Sequence, residues 1–337
     1  MEKNIILLSL AVLLVSCASA PSPKVKPRWV DDKYSMYPEA EYMVEIGQGS
    51  SLKDAKRNGA ASLAAIFKSS IKVETTVQTR YKELAANGSV EASEETTFDQ
   101  DITQLADQEL INVNYGESWT NDLGQVNILT YIDRMATGNI YRDRIKENNS
   151  TVNSFLSRSK GESSLIRKYA YIDAAYVVAQ GNQILMDQLD IINLPLRRSL
   201  GNSYDLDDVR INRKDTAQNM AFKINIENDT EGKVSSVIVD ELTSYGFVID
   251  PEGALSVSGR IDFENVKLDN GYENVKYYLT VNIEDEKGIP AVALEQNDRI
   301  SAVSVSDAKN RSYLEIGKLI KNDLMGQLTG YFDSFVK

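Results

Sequence analysis

Leu255-Ser-Val257-Ser-Gly259-Arg-Ile261-Asp-Phe263, then Asp269-Asn270-Gly271, then Val275-Lys-Tyr277-Tyr-Leu279-Thr-Val281-Asn-Ile283 is the stretch that decides the fold. Apolar residues, with one glycine among them, take every second position on both arms, and mostly polar residues fill the gaps. That period of two describes strands with one buried and one wet face. Asp-Asn-Gly supplies residues that tolerate a tight turn, so the arms return antiparallel as a hairpin. Asp285–Gly288 turns the chain again. Pro290–Gln296 then reads as an edge strand, because proline is tolerated at a strand's start.

Working outward, Phe222, Ile224 and Ile226 alternate as an earlier strand. Val234, Val237, Ile238 and Leu242 mark a short helix stopped by Gly246, and Phe247 and Ile249 begin another strand. Ser306 can cap a last helix running through Ile316, Ile320, Leu324, Leu328, Phe332 and Phe335.

The N-terminal half repeats the alternation of strands and helices. Tyr42, Val44 and Ile46 form a short strand, and Gly47 and Gly49 turn the chain. Ser51 with Asp54 three residues on resembles a capping box. It opens a slim helix containing Ala55, Gly59, Ala60 and Ala61. Ile71, Val73, Thr75, Val77, Thr79 and Tyr81 alternate with polar residues and predict a strand. A helix is expected around residues 97–109. Ile111 to Trp119 and Val126 to Ile132 predict a hairpin turning at Asn121–Gly124.

A helical pair follows, over residues 137–156 and from Leu165 onward, turning at Lys160-Gly161 and closed by Pro195. Leu165, Tyr169, Ile172, Tyr176, Ala179, Gln183 and Met186 recur at spacings of three and four, a heptad-like seam. It reads either as a hairpin packed on its own domain or as a seam for self-association or a partner, with Leu165, Tyr169, Ile172, Tyr176 and Met186 as the contact residues. The fold class is therefore α+β: two domains, each a mostly antiparallel sheet with packed helices, plus a long helical hairpin after the first sheet. Boundaries fall at 1–16 for a signal peptide, 17–26 for a tether, 27–194 for the first domain, 195–215 for a polar linker and 216–337 for the second domain.

Lys3 precedes the apolar run Ile5–Val15, which is well short of the ~20 residues of a spanning helix and has the make-up of an export signal. Leu14-Val15-Ser16-Cys17 resembles the bacterial lipobox. That resemblance implies cleavage before Cys17 and acylation, palmitate included, at Cys17. More than one chain is needed for stable anchoring. Ala18, not aspartate, follows the cysteine, which by the same resemblance favours the outer membrane, with the folded part facing the periplasm or the cell surface.

Composition excludes more than it assigns. Net charge is −12, opposite to the basic surfaces that bind nucleic acid. Cys17 is the only cysteine and there is no histidine. That removes Ser–His–Asp and Cys–His catalysis and the usual zinc ligands. Gly47-Gln-Gly49 fails as a dinucleotide fingerprint because bulky Leu52 stands at its third small position. Ser-x-x-Lys recurs at Ser50/Lys53, Ser69/Lys72, Ser157/Lys160 and Ser306/Lys309, with no Lys-Thr-Gly companion. Calcium loops starting at Asp99 or Asp205 lack the required glycine and final glutamate. Trp29 and Trp119 read as core or as a clamp on the tether, with anchoring of a ligand or partner as the alternative.

Pro27-Arg28-Trp29, Tyr42-Met-Val-Glu-Ile46-Gly47-Gln-Gly49-Ser50, the Ala-rich Ala55–Ala65, Ile71-Lys-Val73-Glu-Thr-Thr-Val77 and Leu129-Thr-Tyr131-Ile132-Asp133-Arg134 form a set. Over residues 27–134 they resemble the Lpp-twenty family, typified by a twenty-kilodalton outer-membrane lipoprotein. The resemblance implies an α+β envelope domain and supplies no catalytic residue. The helical hairpin and second domain are additions to it. The expectation is a non-enzymatic lipoprotein with no cofactor and no metal. It would be held to the membrane through Cys17 and act as a tethered binding or assembly module for another envelope protein, a flagellar complex included, or for itself. The alternatives are an envelope hydrolase using a carboxylate pair and a carrier of an apolar ligand.

Overall fold

The computed structural model describes residues 25–68, 75–86, 111–201, 203–268 and 271–336. The signal peptide, Cys17, residues 71–74 of the strand expected over 71–81 and the helix expected at 97–109 lie outside the described residues. The chain separates into two compact units, residues 1–65 with 99–132, and residues 66–98 with 133–337.

In the first unit β1 (Tyr42–Gly49), β2 (Asn114–Thr120) and β3 (Val126–Asp133) form a sheet in the order β1-β3-β2. β2 and β3 pair antiparallel through the expected turn. There Gly124 has φ +79° and the Asn121 side chain accepts from the Leu123 and Gln125 amides. Helix α1 (Leu52–Lys68) starts where the capping pair predicts. The Asp54 amide donates to Ser51 Oγ at 3.1 Å, and Ser51 Oγ donates back to the Asp54 carboxylate at 2.8 Å. Gly47 and Gly49 do not turn the chain; both belong to β1. A Cβ on Gly47 would stand 1.9 Å from the Ala55 carbonyl oxygen, so the glycine lets helix and strand backbones touch. Trp29, Val44 and Leu129 form a buried cluster in this unit, with Tyr34, Tyr37, Tyr42 and Tyr131 packed against it. Tyr37 stacks on Tyr131 with centroids 4.3 Å apart.

The second unit starts with a correction. Residues 75–86 are helix α2 (Thr75–Ala86), not the strand that their alternation predicts. Helix α3 (Arg134–Gly161) is capped by Asp133, whose carboxylate accepts from the Met135 and Ala136 amides. Helix α4 (Leu165–Ile192) returns antiparallel to it, capped by Ser164. The polar linker expected over 195–215 is instead largely helical: α5 (Leu194–Ser199) and α6 (Leu206–Gln218). Val209 of α6 is buried, which is why this segment packs rather than links.

β4 (Ala221–Glu227), β5 (Val248–Ile249), β6 (Leu255–Val266), β7 (Glu273–Glu284) and β8 (Pro290–Ala302) form a five-stranded sheet in the order β5-β4-β6-β7-β8. The 255–283 hairpin forms as read, with Val257 opposite Ile283 and Ile261 opposite Leu279. β8 is the edge. The sheet is mixed: α7 (Lys233–Ser244) carries the chain over it, so β4 runs parallel to β5, and β4 also pairs parallel with β6. Helices α8 (Val305–Leu319) and α9 (Met325–Asp333) are joined by a π-helical turn, Ile320–Leu324. The cap of α8 is Ser304, not Ser306; its hydroxyl accepts from the Asp307 amide at 3.1 Å.

The core of this sheet takes residues from α7, α8, α9 and also from α4, namely Ile166, Tyr169 and Ala170. The helical hairpin expected to complete the first domain therefore belongs to the C-terminal unit, because its apolar stripe supplies part of that core. Among the described residues no helix is long and apolar enough to cross a membrane.

Candidate functional site

The seam on α4 is placed inward. Tyr169, Ile172 and Met186 are buried, and Leu165 and Tyr176 pack at the margins of two buried clusters. Tyr169 meets Phe247 and Phe332 edge-on, at 5.0 and 5.1 Å. The contact surface that self-association through this seam would need is used within the chain. Heptad-like spacing marks a buried stripe; it carries no information about what covers it.

Beside Tyr169 lies a charge cluster that the sequence did not signal. Asp173 of α4 is 2% exposed. It accepts from Arg80 Nη1 of α2 at 2.5 Å and from Arg213 Nε of α6. Arg80 also reaches Asp333 of α9, with Nη2 at 2.6 Å and Nε at 3.3 Å from its two carboxylate oxygens. One guanidinium thus bridges two carboxylates, and one carboxylate bridges two guanidiniums. The Arg213 guanidinium also lies over the rings of Tyr169 and Tyr176, at 5.8 and 5.3 Å.

Burial by itself pushes the Asp173 carboxyl up, but Arg80 and Arg213 outweigh it and hold it below the ordinary range. Burial raises the Tyr169 hydroxyl, and Asp173 beside it adds to the rise. A hydrolytic carboxylate pair needs one acid kept protonated. Here both carboxylates are engaged by arginine, and the arrangement ties α2, α4, α6 and α9 together.

A polar ladder joins α2 and α4 to α3 and to Tyr204, just before α6. Asn148 Nδ2 of α3 donates to the Tyr81 hydroxyl at 2.9 Å, and Asn182 Nδ2 of α4 donates to Asn149 Oδ1 and to the Tyr204 hydroxyl, each at 2.9 Å. Gly181 makes room for this: a Cβ there would stand 2.4 Å from the Tyr81 ring.

Asp187 and Asp190 lie one turn apart on α4. Burial raises Asp187 and Asp190 adds to the rise, while Gln183 and Arg197 offset it. Neither residue lines a groove described below. Asp205, tested as a calcium ligand, is the N-cap of α6 and accepts from the Asp207 and Asp208 amides. Among the described residues no cluster of three or more acidic, histidine or cysteine side chains is arranged to hold a metal. Trp29 is buried in the first unit, and its Nε1 donates to Glu117 at 3.3 Å.

Two open grooves lie on the second unit. One, of about 690 Å³, has Lys223 and Asn225 of β4, Ser235 of α7 and Glu284 of β7 in its walls. The other, of about 640 Å³, runs between β8 and α8. Arg299, Arg311, Lys318 and Lys321 line it together with one carboxylate, Glu315, and the apolar Leu314. A basic groove on so acidic a chain was not legible from composition. Its cations are scattered over strand, helix and π-turn.

No family model matches the chain, and no curated protein matches it. Among solved structures, a secreted protein of Helicobacter pylori is similar at 12% identity, with 84% of this chain and 98% of that one covered and a TM-score of 0.41. A minor lipoprotein of Acinetobacter baumannii is similar at 13% identity over 34% of this chain and 93% of that one, with a TM-score of 0.23. Likeness at this level assigns no role, and the functional reading rests on the chain's own residues.

Proposed function

We propose that this chain is a lipoprotein of the Lpp-twenty type in the bacterial envelope, held to the outer membrane by acyl chains on Cys17. Its folded part binds another envelope protein rather than catalysing a reaction. The observation that carries the reading is Leu14-Val15-Ser16-Cys17 at the end of a short apolar run headed by Lys3. The absence of histidine supports a binding role. So does the closed Arg80–Asp173–Arg213–Asp333 cluster, which spends its charge on holding helices. Tethering raises the local concentration of the folded part, so modest contacts suffice.

The test is incorporation of labelled palmitate, followed by density separation of inner and outer membranes. The full chain is expected to take up label and to sediment with the outer membrane. Cys17→Ser is expected to lose the label and appear in the soluble fraction. An unlabelled wild-type chain would overturn the anchor; label in the inner membrane would overturn the location.

A further inference from the structure

The five-stranded sheet has two unlike edges. At one side β5 is only two residues long, which leaves little to pair with. At the other, β8 runs for 13 residues, from Pro290 to Ala302. Among the described residues no strand pairs with its outer side. Every second residue of an edge strand points its N–H and C=O outward, and an uncovered edge is a template for another strand. Proteins blunt such edges with prolines, bulges or short strands. Here Pro290 and the irregularity opposite Glu284 sit together at the start of β8; among the described residues no strand covers the remainder, which carries the exposed charges Glu295, Asp298 and Arg299.

At the far end of β8 lies the basic groove. Arg299 comes from the strand itself, Arg311 and Lys318 from α8, and Lys321 from the π-helical turn. Arg311 is held by Asp307 at 3.2 Å and Lys318 by Glu315 at 2.8 Å. These exposed pairs are weak in water and exchange readily for a better anion. Among the described residues neither Arg299 nor Lys321 has an acid within ion-pair distance. Leu314 is 68% exposed in the same groove and offers an apolar rest for one side chain.

We propose that β8 takes up an extended acidic segment of a partner protein as an added strand, its carboxylates meeting Arg299, Arg311, Lys318 and Lys321. Main-chain hydrogen bonds to the edge supply affinity and the flanking groove supplies selectivity, as in other strand-addition complexes. A bilayer surface fits less well. Lipid headgroups do not reproduce the regular spacing of a strand's donors and acceptors. The proposal deepens the binding-module reading and rests on it. The anchor is tested separately by palmitate, so failure here leaves that result standing.

The experiment uses the full chain carrying Cys17→Ser and fluorescence anisotropy with a labelled peptide of alternating threonine and glutamate, ten residues long. Two further peptides serve as probes: the same sequence N-methylated at every second residue, and a threonine–lysine counterpart. The acidic peptide is expected to bind, with affinity falling as salt rises. Arg299→Glu and Lys321→Glu together are expected to weaken it at least tenfold, and N-methylation to weaken it at least tenfold with the charge unchanged. Both positions are exposed, and an unchanged circular dichroism spectrum establishes that the fold is kept. Equal binding of the N-methylated peptide would overturn strand addition, and equal binding by the double variant would overturn the groove. Preference for the lysine peptide, or uptake by phosphatidylglycerol vesicles without peptide binding, would overturn the assignment of an acidic polypeptide.

Discussion

Arg80 Nη1 and Asp173 Oδ2 lie 2.5 Å apart, with the arginine side chain 17% and the aspartate 3% exposed. Taking two such charges out of water is repaid only by good geometry and further hydrogen bonds. Arg213 and Asp333 supply those. Replacing the cluster wholesale by apolar residues of similar volume is a different perturbation from removing one member, which strands the others.

Asp173→Asn removes the charge shared by two largely buried guanidiniums. The expected loss is about 3–5 kcal/mol of unfolding free energy, read from chemical denaturation of the second unit. A loss under about 1 kcal/mol would mean that water reaches both arginines.

The same carboxylate sets a pH dependence. Its folded value lies below the ordinary carboxylate value of about 3.9, so it takes up a proton more readily once unfolded. Its contribution to stability is therefore complete above that unfolded value and is lost as pH falls through the lower, folded one. Wild type should lose stability on acidification below about pH 4 more steeply than Asp173→Asn. Parallel stability curves for the two proteins would contradict this.

Gly181→Ala places a methyl group against the Tyr81 ring. Either α2 shifts off α4 or Tyr81 leaves, with a cost of about 1–3 kcal/mol. Hydrogen exchange should quicken in α2 before it does in β6 and β7. Gly161→Ala, whose added Cβ meets nothing within 4 Å, is the control.

Trp29 and Trp119 are the only tryptophans. With Trp119→Phe the remaining emission reports Trp29, which is 1% exposed. It should be blue-shifted and poorly quenched by acrylamide, and it should redden when the first unit melts. A strongly quenched Trp29 would mean that the residues around it are not held on β1 and β3.

Tyr169→Phe should be nearly silent, because the Tyr169 hydroxyl is a long 3.5 Å from Asp173. Tyr169→Ala should cost about 3–5 kcal/mol, the usual price of an emptied aromatic site. Comparable losses in the two variants would show that the hydroxyl, not the ring, holds this position.

By itself the sequence determined the features whose physics is local. The 255–283 hairpin follows from alternation plus a turn that only certain residues make. The start of α1 follows from Ser51 and Asp54, three residues apart. Tertiary structure decided what local chemistry leaves open. Thr75 to Tyr81 alternates like a strand, yet it is helical in a setting where Arg80 meets Asp173 and Asp333 and Tyr81 fits against Gly181. Val209 buries what composition reads as a polar linker. The α4 seam was visible as a stripe, but the rings that cover Tyr169 belong to Phe247 and Phe332, far along the chain. The basic groove is likewise assembled from distant segments that share no motif. Alternation and heptad spacing record that a face is buried; which face of which element covers it depends on packing between residues that no local pattern connects.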